Sequence, residues 1–506
     1  MTNNNSLYFQ FKQNIPLWCV LLFSFTLMSC GGSSSSKTGY VQLYNLSPNA
    51  PGIYLTIDKY DDDDYVEQTY SAISFTNTSS RFSYEPDTYD IELAWQNEFG
   101  NQSDLEIVYQ EQLKISNESV EFIVISEDIK APQVLVYELP VRDDDELNDD
   151  SDDDLFNIKV LNMHNWSAGL DFYYSEADET FNEAQLLNKT SYTELSENQK
   201  LDQDSYIFYI TSAGESDVLF TSEDISFPYA SEYIIVIRAN TGVGSSPFLI
   251  DVVSTSTTQE FTDSGAEASY RVYNGIVENE LLPGYEKNID FHINSIDETP
   301  EITSLGLGEF SPSTIIESGD YSMNVVSSEN QTKIISNHLL PLNENTDRTI
   351  FLYLLEEAVD EDGDGDIDEN GDGYIDELEI TLNSLVVTNS TSDNIYSHAM
   401  TVINLIDQDE IIDDFSSVKV YFVLNDEIIE TASQSLTTIF AVPTTAQLLN
   451  NTYSIYAIGS LDSSNIVLAS TQLTLDEDST NQFIILEKDA DSATGYKMTF
   501  TNQSDN

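Results

Sequence analysis

Val41-Gln-Leu-Tyr-Asn45 is a short run of alternating side chains that ends in asparagine. It returns as Ile158-Lys-Val-Leu-Asn162, Tyr270-Arg-Val-Tyr-Asn274 and Met400-Thr-Val-Ile-Asn404. The asparagines stand 117, 112 and 130 residues apart, too far for a solenoid repeat and about right for one domain each. A second landmark keeps step with the first. Tyr89, Tyr206, Tyr321 and Tyr453 each follow a short polar turn, 44, 44, 47 and 49 residues after the asparagine. A third is an apolar strand, Phe122–Ile125, Tyr233–Ile237, Ile350–Leu354 and Phe483–Leu486. Runs rich in β-branched and aromatic residues, bounded by turn formers and without a sustained helical stripe, predict strands throughout.

About seven strands per ~100 residues, with a tyrosine opening a late one, predicts an all-β chain of tandem immunoglobulin-like β-sandwiches; there the ring packs at a corner and its hydroxyl bonds to backbone. The expected units are residues 38–141, 155–254, 268–391 and 392–506, with an acidic linker at 142–154 and a polar one at 255–267. Asp143 to Asp154 is almost wholly acidic, and like charges that dense extend a chain.

The 506 residues carry 89 acidic against 18 basic side chains, a formal charge of −71. Phosphate contacts need clustered Lys and Arg, so no nucleic-acid partner is expected. With 40% hydrophobic and 11% aromatic residues the chain is nonetheless too apolar to be a solvated polymer. Its two cysteines, Cys19 and Cys30, both lie before the first repeat, so no disulfide is available to staple the sandwiches.

Residues 15–28 form an apolar run that is short for a bilayer span and fits the core of a signal peptide. It ends in Leu27-Met28-Ser29-Cys30, followed by the tether Gly31-Gly-Ser-Ser-Ser-Ser36. The tetrad resembles the lipobox of bacterial lipoproteins. That resemblance implies cleavage after residue 29, lipidation of Cys30 and a membrane anchor in the cell envelope. Gly31 lacks the acidic inner-membrane retention signal of that family, which implies the outer membrane. The opening Val41-Gln-Leu-Tyr-Asn-Leu-Ser-Pro-Asn-Ala-Pro51 is similar to the start of the domain-of-unknown-function 4397 family of bacterial secreted and surface proteins, which implies a β-sandwich without assigned chemistry.

The third unit is long because of Asp360-Glu-Asp-Gly-Asp-Gly-Asp-Ile-Asp-Glu-Asn-Gly-Asp-Gly-Tyr-Ile-Asp-Glu-Leu-Glu379. Its second half has the spacing of an EF-hand loop, with Asp368, Asn370, Asp372, Tyr374 (through its carbonyl), Asp376 and Glu379 as oxygen ligands and Gly373 at the bend. The expected ion is calcium, which takes six to eight oxygens. An overlapping copy offers Asp360, Asp362, Asp364 and Asp366 to a second ion. The flanks read as strands where a calcium sensor would have helices, so the ion is expected to clip a hairpin rather than switch a domain.

His164, His292, His338 and His398 are scattered and make no paired metal spacing, and no nucleophile elbow or phosphate loop occurs. No catalytic residue and no enzyme activity is expected. The favoured function is a lipid-anchored, calcium-stabilised surface binding or adhesion module, a stalk of sandwiches with a protein or glycan ligand; the alternative is a periplasm-facing accessory or substrate-binding lipoprotein.

Overall fold

The computed structural model describes residues 37–62, 64–97, 104–141, 155–359, 367, 375, 377–392, 394–406, 417–461 and 464–504. Strands account for nearly all the regular structure. The first set is β1 (Gly39–Leu46), β2 (Tyr54–Lys59), β3 (Gln68–Thr69), β4 (Phe82–Tyr84), β5 (Thr88–Gln96), β6 (Leu105–Lys114), β7 (Ser119–Ser126) and β8 (Gln133–Pro140). The second is β9 (Leu155–Asn162), β10 (Leu170–Glu176), β11 (Gln185–Thr190), β12 (Gln199–Asp202), β13 (Ser205–Ser212), β14 (Val218–Thr221), β15 (Ile225–Ser226), β16 (Glu232–Ala239), β17 (Phe248–Val253) and β18 (Thr258–Phe261). The third is β19 (Ala268–Gly275), β20 (Asn288–Ile293), β21 (Ile302–Gly306), β22 (Thr314–Ile316), β23 (Gly319–Ser327), β24 (Lys333–Leu342), β25 (Asp347–Ala358) and β26 (Leu378–Thr388). The fourth is β27 (Ser397–Asn404), β28 (Ser417–Leu424), β29 (Gln434–Thr438), β30 (Thr444–Leu449), β31 (Thr452–Leu461), β32 (Ser464–Thr474), β33 (Gln482–Lys488) and β34 (Tyr496–Asn502).

Each set folds into two sheets of the same order. In the first, β4-β1-β7-β8 faces β3-β2-β5-β6; the third and fourth repeat this pattern strand for strand, and the second repeats it with β15 and β18 added, one to each sheet. The immunoglobulin-like sandwich expected from the sequence is thus present four times, with a strand order of its own. The first strand runs parallel to the seventh in three copies, β1 with β7, β19 with β25 and β27 with β33, and in the second, which has the extra β15, to the eighth, β9 with β16. The segment read as a linker at 255–267 contributes β18, which extends the second sandwich by pairing with β17; its Phe261 packs on that core, which is why so polar a stretch joins the sheet. The acidic linker at 142–154 lies outside the described residues.

The two sheets of a sandwich differ in their periodicity. In β5, Tyr89, Ile91 and Leu93 are buried while Asp90 and Glu92 are partly exposed, the alternation of a sheet with one wet face. In β7 and β19 every residue is buried. One face of β7 joins the first core, where Ile123 and Ile125 meet Leu43, Ile57 and Ile91. The other face joins a separate cluster in which Tyr44, Phe122 and Val124 pack against Leu161, Ile234 and Val236 of the second sandwich. The third and fourth sandwiches meet in the same way, through Tyr273, Phe351, Ile403, Phe483 and Ile485. Each fully buried side chain of this size contributes about 1.5–3 kcal/mol, so these faces are structural cores in their own right.

The sandwiches are therefore not strung in a row as the sequence suggests. The second touches the third through Asn345, whose Oδ1 accepts from Gly244 N–H at 2.8 Å and Asn240 Nδ2 at 3.0 Å. A Cβ on Gly242 would lie 2.3 Å from that amide, so only glycine permits the approach. The fourth returns to the first: Tyr396 stacks on Trp95 at 4.1 Å between ring centroids, Ile395 N–H donates to Asn49 O at 3.2 Å, and Lys130 pairs with Glu477. A stalk needs ends that stay apart; here the Trp95–Tyr396 stack and the contacts beside it close the four sandwiches into a cycle.

Candidate functional site

The repeated asparagine is an architectural device. Asn45, Asn162, Asn274 and Asn404 are fully buried, and each Oδ1 accepts the N–H two residues on, from Ser47, His164, Ile276 and Ile406. This Asx turn ends the first strand and reverses the chain. The asparagine carbonyl accepts the N–H of Thr76, Thr193, Gly308 and Ala441 in the four copies, and all four residues have positive φ. The four tyrosines behave as expected: each hydroxyl donates to the carbonyl four residues upstream, those of Glu85, Asp202, Glu317 and Leu449, at 2.7–2.9 Å. Sequence reading missed a fourth repeated element. Ser79, Ser196 and Ser311 accept at Oγ from the first-strand N–H groups of Leu43, Val160 and Val272, and the constant ten-residue spacing from each serine to its corner tyrosine was the available signal.

In the first and third sandwiches the position before the asparagine carries a buried polar contact to the next sandwich. Tyr44 donates to Asp251 at 2.5 Å, Arg238 Nε donates to the same carboxylate at 2.7 Å, and Arg238 also pairs with Glu260. Burial, then the facing Asp251, holds the Tyr44 phenol well above its ordinary range. Tyr273 makes the corresponding contact with Glu487 at 2.6 Å, and Lys497 lies 3.3 Å from that carboxylate. Both clusters are filled by their own partners, leaving them structural.

A cleft of ≈ 380 Å³ opens where the first sandwich, the connector into the fourth and the fourth itself converge. Pro51, Ser74 and Phe75 line one side and Ser390, Ser392 and Asn394 another. Gln447 on β30 and Asn481 before β33 complete it, and no charged side chain is among the described lining residues. Asn481 is fully engaged: Nδ2 donates to Ser390 Oγ at 2.9 Å and Ser392 O at 2.8 Å, and Oδ1 accepts Ala399 N–H at 2.7 Å. Asn394 Oδ1 accepts the N–H groups of Tyr396 and Ser397, and Gln447 Oε1 accepts from Ser397 Oγ. The walls are thereby held before any ligand arrives. No local pattern marks these residues, because they come from five separated segments.

Of the residues singled out in the sequence, Cys30 lies outside the described residues. So do Asp360, Asp362, Asp364, Asp366, Asp368, Asn370, Asp372, Tyr374 and Asp376. Glu379 is described: it is exposed on β26, directly opposite Glu357 on β25. The flanks are strands as expected, paired up to Ala358 and Leu378, with Val359 N–H donating to Glu377 O at 3.1 Å. Among the described residues no group of three or more His, Cys, Asp or Glu side chains converges. The histidines sit apart in three sandwiches. Burial lowers His164 and His398, and His398 Nε2 contacts Asn450 Oδ1 at 2.7 Å.

No protein-family model matches the chain, and no curated protein does. The likeness to the 4397 family therefore rests on its first-strand residues alone. Among solved structures, the chain is similar to the Bacillus anthracis TIE protein at 9% identity, over 90% of this chain and 76% of that one, with a TM-score of 0.15. A putative adhesin from Bacteroides ovatus matches at 9% identity over 44% of this chain and 95% of its own, with a TM-score of 0.14. A DUF3823 family protein from Bacteroides ovatus matches at 12% identity over 42% and 100%, with a TM-score of 0.12. At such scores the functional reading has to come from the chain's own geometry.

Proposed function

We propose that this chain is a lipid-anchored binding module of the cell envelope, held by Cys30 in the outer membrane and displayed at the surface. The observation that supports binding is the cleft between the first and fourth sandwiches: it is a preformed concave site of pocket size, built from five chain segments and walled by engaged hydrogen bonds. The membrane anchor is carried by the lipobox resemblance and the Gly/Ser tether. Residues 38–506 would stand on that tether as one body, since a cycle of contacts leaves few hinges between sandwiches.

Calcium belongs to the same proposal. The β25–β26 ladder brings the two ends of the 360–376 segment together, which a ligand loop requires, and Glu379 is exposed on the ladder close to that end. Glu357 and Glu379 face each other as like charges, an arrangement that destabilises a hairpin end and that a nearby cation relieves. Asp368, Asn370, Asp372, Asp376 and Glu379 would supply the oxygens, with Tyr374 through its carbonyl. The bound ion would supply positive charge that holds the hairpin tip.

Protease shaving of intact cells tests the display. The whole chain outside residue 37 is expected to be lost from untreated cells, and a Cys30→Ala variant is expected in the soluble fraction. Full protection on intact cells, with digestion only after the outer membrane is opened, would instead make the protein a periplasm-facing accessory lipoprotein.

A further inference from the structure

We infer that the cleft between the first and fourth sandwiches takes a neutral oligosaccharide, an inference that rests on the binding-module reading. Its volume of ≈ 380 Å³ lies in the range of small-molecule sites, about 300–1,000 Å³. Its chemistry is distinctive for this chain. On a protein of net charge −71, the described lining has hydroxyls and amides and no carboxylate.

An anionic sugar or phosphate would find neither Lys nor Arg to pair with and would have to cross a repulsive field. A cationic ligand would be held by carboxylates, and the described lining has none. What remains is a neutral ligand dense in groups that both donate and accept. Ser hydroxyls and Asn or Gln amides do the same, which makes the two surfaces complementary.

Donor capacity is left over on this lining. Asn394 and Gln447 spend their oxygens on neighbours. Their amide nitrogens and the Ser74 hydroxyl are left without a partner among the described residues. Phe75 and Pro51 supply an apolar wall for the C–H face of a sugar ring. The Trp95–Tyr396 stack and the Ile395–Asn49 hydrogen bond fix the two sides of the cleft relative to each other, which lowers the ordering cost of binding.

The test uses the full mature chain on an array of neutral di- to tetrasaccharides built from glucose, mannose, galactose, xylose and N-acetylglucosamine, beside their uronate and sulfated counterparts. Calorimetry on the hits compares the wild type with Ser74→Trp, which fills the cleft, and Gln447→Ala. At least one neutral oligosaccharide is expected to bind while charged counterparts do not. Ser74→Trp should weaken binding tenfold or more, and Gln447→Ala by about three- to tenfold, the worth of one neutral hydrogen bond, both at unchanged Tm. Binding that survives Ser74→Trp, a preference for charged sugars, or no neutral sugar bound overturns the inference. If no sugar binds but a cross-linked protein partner is captured and lost in Ser74→Trp, the inference falls and the binding module stands; if neither sugar nor partner is captured, both fall.

Discussion

The hydroxyl of Tyr44, on the first strand of the first sandwich, donates to the carboxylate of Asp251 on β17 of the second, 207 residues away. Tyr273 repeats the relationship with Glu487 across the third and fourth. The first and third copies carry tyrosine before the asparagine, and the second and fourth carry Leu161 and Ile403. The four sandwiches are thus two like pairs, each with a phenol that reaches a carboxylate across an apolar sheet-on-sheet face. Tyr44→Phe leaves Asp251 paired with Arg238 and should cost about 1 kcal/mol, whereas Tyr273→Phe leaves Glu487 with Lys497 alone and should cost about 2–3 kcal/mol. Denaturant midpoints of the two variants check the order.

The positive-φ position after the third strand is glycine only in the third sandwich, at Gly308 with φ +78°. Thr76 and Thr193 hold φ of 61° and 62° there, which is strained for a β-branched residue. Thr76→Gly and Thr193→Gly should therefore raise stability, each by about 0.5–1 kcal/mol after the entropy that glycine adds to the unfolded chain. Gly308→Thr should lower it by about 1–2 kcal/mol. Thermal melts of the three variants decide this.

The buried asparagines are not equivalent. Asn274 Nδ2 donates to Tyr285, Lys287 O and Leu305 O, while Nδ2 of Asn404 has no partner among the described residues. Asn274→Ala should cost about 2–3 kcal/mol, since several buried acceptors lose their donor, and Asn404→Ala about 1 kcal/mol. Equal losses in chemical denaturation would show that the Asx turn alone sets the value of the position.

Burial holds the His398 imidazole below its ordinary range. Asn450 Nδ2 donates to Ile395 O, so its Oδ1 is the acceptor for His398 Nε2–H. The folded state takes up the proton less readily than the unfolded chain. The stability this group contributes is therefore complete above the unfolded imidazole value, about 6.5, and is lost as pH falls through the lower folded one. A profile of Tm from pH 7.5 to 5 should fall less steeply for His398→Gln than for the wild type.

Calcium titrated into the full chain should raise the Tm of a transition that includes the third sandwich, by the equivalent of about 2.7 kcal/mol once free calcium is a hundredfold above Kd. Magnesium, smaller and stricter in its geometry, should do much less. Glu379→Gln should weaken the effect. No shift at millimolar calcium would remove the ion from the proposal.

Much of the architecture was legible because it is local. Alternation in β5, the asparagine at each first-strand end and the tyrosine four residues past its carbonyl partner all act within one sandwich, and each leaves a mark at a fixed spacing. The unbroken apolar run Phe122–Ile125 was read as a strand; its lack of alternation also said that both faces were to be buried, but not by what. The cleft left no mark at all, since Ser74, Asn394 and Gln447 become neighbours only when the fourth sandwich returns to the first.

By itself, then, the sequence determined the β-sandwich, its fourfold repetition, the corner tyrosines and the strands on either side of the calcium-type loop. These follow from side-chain periodicity and turn chemistry over a few residues. Only the tertiary structure decided that the sandwiches pair through their first-strand sheets, that the chain closes on itself, and that an uncharged cleft opens at the closure. The reason is that burial of a sheet's outer face is a contest among distant surfaces, settled by which apolar face finds a complementary one and not by any residue's neighbours along the chain.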